Sequence, residues 1–309
     1  MSSFLKQIDC DDLDQFWQNI SPIGPQFGNA SSRFLCFRGQ QDSRWELIPK
    51  VFRKAVVEEY KQTTFAGFLK DHPGQTLLEL MLLSSFLEYL DVRGLAVPGD
   101  SMEFRTYLER VMATHGQANH KWPDQAILPL MALAQHHGVP TRLLDVSNSP
   151  YVASYFACAE AILNETPSTG VRMAVTQIRL GTLTAARGLK AVRVPGSTSP
   201  NLSAQGGSFI LVQNSGQVGE WFTPDVSVES KLVGLEPLPS IKNAFQSEPE
   251  PVLVKVTLPL KYASDLLYRL ERFGITAASI FPGYDGAAKA TLLSHARMRY
   301  RRTSHLKIP

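Results

Sequence analysis

A short stretch in the middle of the chain joins a buried strand directly to an amphipathic helix. Residues 144–147 (LDVS) form an apolar run of strand length, and Ser149 and Pro150 are residue types typical of a helix cap and a first helical position. Apolar residues then recur at helical spacing, at Val152, Tyr155, Phe156, Ala159 and Leu163. So tight a junction predicts a sheet with helices packed against it.

The two serines at this junction, Ser147 and Ser149, admit two interpretations. In the first, both only cap the helix and close the turn, because a serine side chain can accept from the free amides of a helix start. In the second, they lie where a bound ligand meets the end of the strand.

Patterns elsewhere predict one α+β domain with a helical N-terminal part. Strands with buried faces are expected at residues 171–180, 208–213 and 252–260. Gly181–Gly207 is rich in Gly, Ser, Pro and Ala, which predicts a loop with at most a short helix. Helices are expected at residues 11–20, 74–94, 103–116, 124–138, 150–163, 260–274 and 285–300.

Composition argues for a cytoplasmic protein without a membrane partner. Of 309 residues, 44% are hydrophobic and 19% charged, as in ordinary globular proteins. The most apolar segment, Leu77–Leu90, contains two glutamates, so we expect a core helix there. The N-terminus lacks a secretory pattern, and three cysteines without metal-like spacing fit a reducing compartment.

The formal net charge of +3 is unevenly distributed. A basic C-terminal tail without acidic residues contains Arg297, Arg299, Arg301, Arg302 and Lys307. Such a tail is able to bind a phosphate backbone. It is equally explained as a solvated helix end, because cations near the C-terminus of a helix interact favourably with the helix dipole.

Several common catalytic motifs are absent from the sequence. It contains no Walker loop, no glycine fingerprint between a strand and a helix, no HExxH and no GxSxG. His136, Asp145 and Ser147 have the residue types of a hydrolytic triad, but nothing marks Ser147 as a strained nucleophile. No metal site is predicted.

Four separate motifs resemble the FRG domain family, named for its Phe-Arg-Gly triplet. These are FRG (37–39), QHHGVPTRLLD followed by SPYVASYFA (135–157), AQGGSF (204–209) and ERFGITAASIFPGYDG (271–286). The resemblance spans Phe34 to Leu292. It implies an N-terminal helical segment at 1–33, an FRG domain at 34–292 with a helical insertion at about 55–137, and a tail at 293–309.

The order of these motifs also resembles the split NAD-binding core of ADP-ribosyltransferases. The resemblance implies that Arg38 grips a phosphate or ribose of NAD and that Ser147 holds the nicotinamide ribose. A guanidinium suits a pyrophosphate because it donates two parallel hydrogen bonds. A third residue, usually Glu, bonds the ribose 2′-hydroxyl and stabilises the cation formed as nicotinamide leaves.

This chain departs from the transferase pattern at Gln205, where an amide replaces the carboxylate. Gln205 acts alone, or a carboxylate such as Glu220 or Asp145 contributes, or the fold binds a nucleotide without chemistry. The triplet Ser197–Ser199 matches the transferase serine signature by letter, but it lacks the flanking strand and helix. We therefore prefer Ser147.

The remaining candidates have structural and functional interpretations. Gly39 marks a place where backbone can approach a ligand, and Ser149 caps a helix or binds NAD. His136 is stabilised at a helix end or bonds a ribose or the acceptor. Asp145 caps, orients Arg38 or acts as a base, and we expect at least one of Asp145 and Arg142 to be structural.

Three functions are carried forward from these observations. The first is an NAD-dependent ADP-ribosyltransferase-like effector, a setting that implies a bacterial toxin or phage-defence component with an antitoxin or chaperone partner. Its acceptor is RNA or DNA in preference to protein; with water as acceptor it is an NAD glycohydrolase. The second is a non-catalytic nucleic-acid or nucleotide-binding module, in which Arg38, Arg44, Arg53 and the C-terminal arginines form a phosphate track and Trp45 or Tyr300 stacks on bases. The third is an inactive immunity or structural partner.

Overall fold

A computed structural model describes residues 4–26, 35–63, 74–114, 122–166, 169–183, 186, 188–194, 204–213, 222–233 and 251–305. Its strands are β1 (Leu5–Asp9), β2 (Leu35–Gln40), β3 (Leu143–Ser147), β4 (Arg172–Arg179), β5 (Leu189–Val192), β6 (Gly207–Val212) and β7 (Leu253–Pro259). Its helices are α1 (Leu13–Ile20), α2 (Lys54–Thr63), α3 (Gly74–Val92), α4 (Met102–Ala113), α5 (Leu128–His136), α6 (Pro150–Leu163), α7 (Leu180–Leu183), α8 (Val228–Leu232), α9 (Ala263–Arg272), α10 (Ala277–Ile280) and α11 (Tyr284–His305).

Within the described residues, seven strands form one mixed sheet in the order β1-β7-β4-β2-β3-β6-β5. Only the β1–β7 pair is parallel among them. Strand β2 pairs with β4 along its whole length, but with β3 through the single pair Phe37 and Ser147. The predicted α+β class is therefore confirmed, and the sheet is almost divided between β2 and β3.

Two groups of helices cover the same face of this sheet, one on each side of that division. Phe37 belongs to an apolar cluster with α1, α6, α9 and α11, whereas Leu143 of β3 belongs to a cluster with α3, α4 and α5. Phe37 and Ser147 are direct partners, and Leu143 lies four residues before Ser147, so all three side chains point to one face. The helical layers therefore meet above the β2–β3 junction.

Local signals account for helix α6, as predicted. The Ser149 hydroxyl accepts from the amide of Val152, and Pro150 is the first helical residue. Gly138 ends α5 with a φ of 91°, the left-handed conformation that favours glycine. None of the helices in the described part of the chain is long and apolar enough to span a membrane.

Three expectations about the ends and loops of the chain were wrong. The N-terminal segment is not only helical, because β1 pairs with β7 in the main sheet. The stretch predicted as a loop contains β5, which pairs with β6. Residues 293–305 continue α11 instead of forming a tail, and Leu293, Ala296 and Tyr300 are buried in the core.

Candidate functional site

A cleft of about 710 Å³ opens where the two helical layers meet. Its floor is formed by β2 and β3, and its walls by α6, α11 and the end of α5. It contains six of the residues named from the sequence as ligand contacts or catalytic groups, namely Arg38, Gly39, His136, Asp145, Ser147 and Gln205. Small-molecule sites have volumes of about 300–1,000 Å³.

Arg38 bridges the gap between β2 and β3. Because the two strands pair only at Phe37 and Ser147, the main-chain carbonyl of Asp145 has no partner in β2, and Nη1 of Arg38 donates to it at 2.9 Å. The same Nη1 lies 3.7 Å from Oδ2 of Asp145. One nitrogen is thus engaged, while a guanidinium has five N–H donors, so the others can bind a ligand.

Ser147 and Ser149 organise the turn between β3 and α6. The Ser147 hydroxyl donates to the main-chain carbonyl of Gln205 at 2.7 Å and accepts from the amide of Ser149 at 3.0 Å. Ser147 lines the cleft but is only 5% exposed, whereas Ser149 caps α6 and is not among the cleft residues. The helix-capping interpretation therefore describes Ser149, and Ser147 combines a structural bond with a place at the cleft wall.

Gln205 lies at the turn before β6 and faces the cleft. Its side-chain Nε2 is 3.5 Å from the carbonyl oxygen of Ile280, the last residue of α10. The contact is long and therefore weak, and it favours the orientation in which the NH₂ group faces α10, because a carbonyl accepts only from a donor.

Gly39 lines the cleft, but its missing side chain is explained by helix packing. A Cβ atom at this position would lie 1.8 Å from the carbonyl oxygen of Ala153 and 3.1 Å from the amide of Ala157, both in the backbone of α6. The strand and the helix therefore approach more closely than any side chain permits. The backbone that lies closest to Gly39 is that of α6. The expectation that Gly39 contacts a ligand stays a prediction.

Gly39→Ala is expected to lower the free energy of unfolding by about 1–3 kcal/mol, because α6 must move away from β2. Urea denaturation followed by circular dichroism measures the change. Gly181→Ala is the matched control, since a Cβ atom there meets nothing within 4 Å. Equal stability of the two variants would contradict the close approach of β2 and α6.

His136 stands at the rim of the cleft, at the end of α5. Partial loss of solvent around the ring is the largest cause that lowers its pKa, and the charges of His137 and Lys289 act in the same direction. Asp145 opposes them. A lowered pKa favours the neutral ring at pH 7, and a neutral imidazole has one donor and one acceptor nitrogen instead of a positive charge.

Sequence reasoning missed several cleft residues that lie on helices distant in sequence. Phe156 of α6 and Phe281 meet edge to face at 6.0 Å, and Nζ of Lys289 lies 3.9 Å from the Phe281 ring centre. Glu160 and Asp285 add carboxylates to the same walls. Asp285 and Lys289 are one turn apart on α11, a spacing that places them on one helix face, but the sequence did not indicate which wall that helix forms.

Other candidates lie elsewhere or outside the described residues. Glu220 and the Ser197–Ser199 triplet belong to segments that the structure does not describe. Tyr300 is 6% exposed and its hydroxyl donates to the carbonyl of Thr166, which leaves Trp45, 44% exposed, as the one of the two predicted stacking rings that a base can reach. Arg44 is paired with Asp42 through a contact of 2.6 Å.

Comparison with known proteins identifies part of the chain. Residues 33–165 match the family model of the FRG domain. This match contains the first two motif segments, whereas AQGGSF and ERFGITAASIFPGYDG lie beyond it. No curated protein and no solved structure matches the chain.

Proposed function

We propose, for a chain whose residues 33–165 belong to the FRG domain family, that the cleft binds NAD and transfers its ADP-ribosyl group to an acceptor. The observation that carries this proposal is the convergence of Arg38, Ser147 and Gln205 on one cleft. These residues are far apart along the chain, and they meet at the place where the sheet is nearly divided. We interpret that division as the split core of an ADP-ribosyltransferase.

The cleft has the chemical groups that a dinucleotide requires. Of the side-chain nitrogens of Arg38, only Nη1 donates a hydrogen bond among the described residues, which leaves the other N–H donors for a pyrophosphate, and the rings of Phe156 and Phe281 offer apolar surface to a base or to nicotinamide. Hydroxyl groups of a ribose find acceptors in carboxylates. When bound, NAD would supply the nicotinamide–ribose bond that breaks and the ADP-ribosyl group that is transferred.

Carboxylates of the cleft compensate in this proposal for the amide at Gln205. Among the described residues, Asp145, Glu160 and Asp285 line the cleft. An anion stabilises the positive charge that develops on the ribose more strongly than a neutral amide does. Gln205 then accepts from a ribose hydroxyl, and a carboxylate supplies the charge.

We propose a nucleic acid as the acceptor, because α11 joins the cleft to a basic surface. Its N-terminal half contributes Asp285 and Lys289 to the cleft, and its C-terminal half carries Arg299 and Arg301, whereas the neighbouring Arg297 is partly buried and paired with Glu271. Arg299 pairs with Glu165 at the surface, where ion pairs contribute little and exchange readily. Modification of RNA or DNA would make the protein a toxin or a phage-defence effector.

Incubation with labelled NAD and separate RNA, DNA and protein acceptors tests this function. We expect nicotinamide release with transfer of label to nucleic acid, and a loss of both in Gln205→Ala. Gln205→Glu is expected to raise the rate about tenfold, the effect of roughly 1.4 kcal/mol of transition-state stabilisation by the added charge. The exposed Gln125→Glu is the control and should leave the rate unchanged.

The alternatives appear as distinct outcomes of the same experiment. Nicotinamide release without transfer to any acceptor indicates an NAD glycohydrolase, and transfer to protein alone changes the acceptor class. Salt-sensitive nucleic-acid binding without NAD turnover, in both the wild type and Gln205→Glu, would contradict the enzyme and favour a binding module.

A further inference from the structure

Asp145 is held by a hydrogen-bond network that begins on helix α5. The side-chain NH₂ of Gln135 donates to Oδ2 of Asp145 at 2.8 Å and to the main-chain carbonyl of Leu143 at 3.1 Å. Gln135 is the penultimate residue of α5, directly before His136. Its amide thus joins the end of α5 to the strand that forms the cleft floor.

Thr141 determines which way the Gln135 amide points. The hydroxyl of Thr141 accepts from the amide of Leu143 at 3.2 Å, so its own hydrogen is free to donate to Oε1 of Gln135, at 2.6 Å. An amide whose oxygen is engaged by a hydroxyl must turn its NH₂ in the other direction, toward the carboxylate. Thr141 is 1% exposed, which removes competition from water.

The network engages one oxygen of Asp145 and presents the other. Among the described residues, Oδ1 has no hydrogen-bond partner, and the Asp145 side chain is 54% exposed at the cleft. Glu160 and Asp285 also line the cleft, but in the described part of the chain neither side-chain carboxylate accepts a hydrogen bond. Asp145 is therefore the one of these three carboxylates whose orientation is fixed before a ligand arrives.

We propose that Gln135 is a positioning residue that holds Asp145 so that its Oδ1 accepts a hydrogen bond from a hydroxyl of the bound ligand. The inference rests on the proposed function in one respect, since it takes the ligand hydroxyl to be that of an NAD ribose. It explains why Gln135, Thr141 and Asp145 occur together in one short motif. Thr141 acts through Gln135, and Gln135 acts through Asp145.

Calorimetric titration with NAD tests the coupling between the two residues. Asp145→Asn and Gln135→Leu are each expected to weaken NAD binding about tenfold, as for the loss of one hydrogen bond to a charged group. Because Gln135 binds Oδ2 and acts only by holding the Asp145 carboxylate that presents Oδ1, the double variant should bind no more weakly than the weaker single variant. Additive losses would show that Gln135 acts independently of Asp145 and would overturn the proposal.

Thr141 provides a second pair of variants that separates positioning from packing. Thr141→Ser keeps the hydroxyl and should bind NAD more tightly than Thr141→Val, which keeps the shape but removes the donor to Gln135. Equal affinities of the two variants would contradict a role for the amide orientation. Thermal unfolding of each variant establishes that the protein compared is folded.

A measurement without NAD distinguishes failure of this inference from failure of the proposed function. If the wild type does not bind NAD, the proposed function fails, and crystal structures of the wild type and Gln135→Leu decide the positioning role. A rotated Asp145 carboxylate in Gln135→Leu supports the role of Gln135. An unchanged carboxylate excludes it.

Discussion

Arg38→Ala is expected to weaken NAD binding and to reduce the rate of nicotinamide release by about 100-fold, equivalent to about 2.7 kcal/mol. The Arg38 side chain is 26% exposed and lines the cleft, and the carbonyl of Asp145 orients its Nη1, so the ligand need not order the whole side chain. Removing a charged donor from such a place leaves a phosphate group of the ligand without a partner. Calorimetry measures the affinity, and a nicotinamide assay measures kcat/KM.

Two further arginine variants show whether NAD binding depends on the charge of Arg38 or on the planar geometry of its guanidinium. Arg38→Lys keeps the charge but loses the planar fork, and we expect a loss of about tenfold, intermediate between wild type and alanine. Arg269→Ala is the matched control, because Arg269 has a similarly exposed side chain (32%) and pairs with Asp14 away from the cleft. NAD affinity of Arg38→Ala equal to that of Arg269→Ala would refute the binding role.

The features that sequence analysis located correctly depend on local chemistry. Helix α6 begins where predicted because the Ser149 hydroxyl accepts from the nearby Val152 amide and the fixed φ of Pro150 suits a first helical position. Strand β3 also ends where predicted, at Ser147, because the helix start that Ser149 and Pro150 specify follows it directly. The placing of Arg38, Ser147 and Gln205 at one cleft was expected from the resemblance of their motifs, because residue spacing alone does not specify which strands become neighbours.

The features that it missed depend on partners distant in sequence. Strand β5 is short and lies in a Gly- and Ser-rich region, and it exists because β6 supplies its hydrogen bonds. Strand β1 pairs with β7, more than 240 residues later in the chain. Lys289 and Glu160 lie at the cleft because α11 and α6 pack on the sheet, and the sequence did not indicate that packing. Gln135 and Asp145 both belong to the QHHGVPTRLLD motif, but the hydrogen bond between their side chains was not evident from the sequence.

Glu79→Ala is expected to destabilise the protein by about 3–5 kcal/mol, because it leaves a buried arginine without a counter-charge. Glu79 of α3 is 1% exposed and Arg142, just before β3, is fully buried. Their contacts are 2.7 Å from Nε to Oε2 and 2.8 Å from Nη2 to Oε1, and the indole of Trp122 also donates to Oε2. This pair confirms the structural role expected for one of Arg142 and Asp145.

Urea denaturation of Glu79→Ala beside Glu88→Ala measures this effect. Glu88 lies on the same helix but is exposed, so its removal should change the free energy of unfolding by no more than about 0.5 kcal/mol. The double variant Glu79→Leu, Arg142→Met should recover part of the loss, since no charge is then buried without a partner. A single variant as stable as Glu88→Ala would contradict a buried ion pair. The pair joins the helical layer of α3 to the strand that carries Asp145, so its loss should also weaken NAD binding.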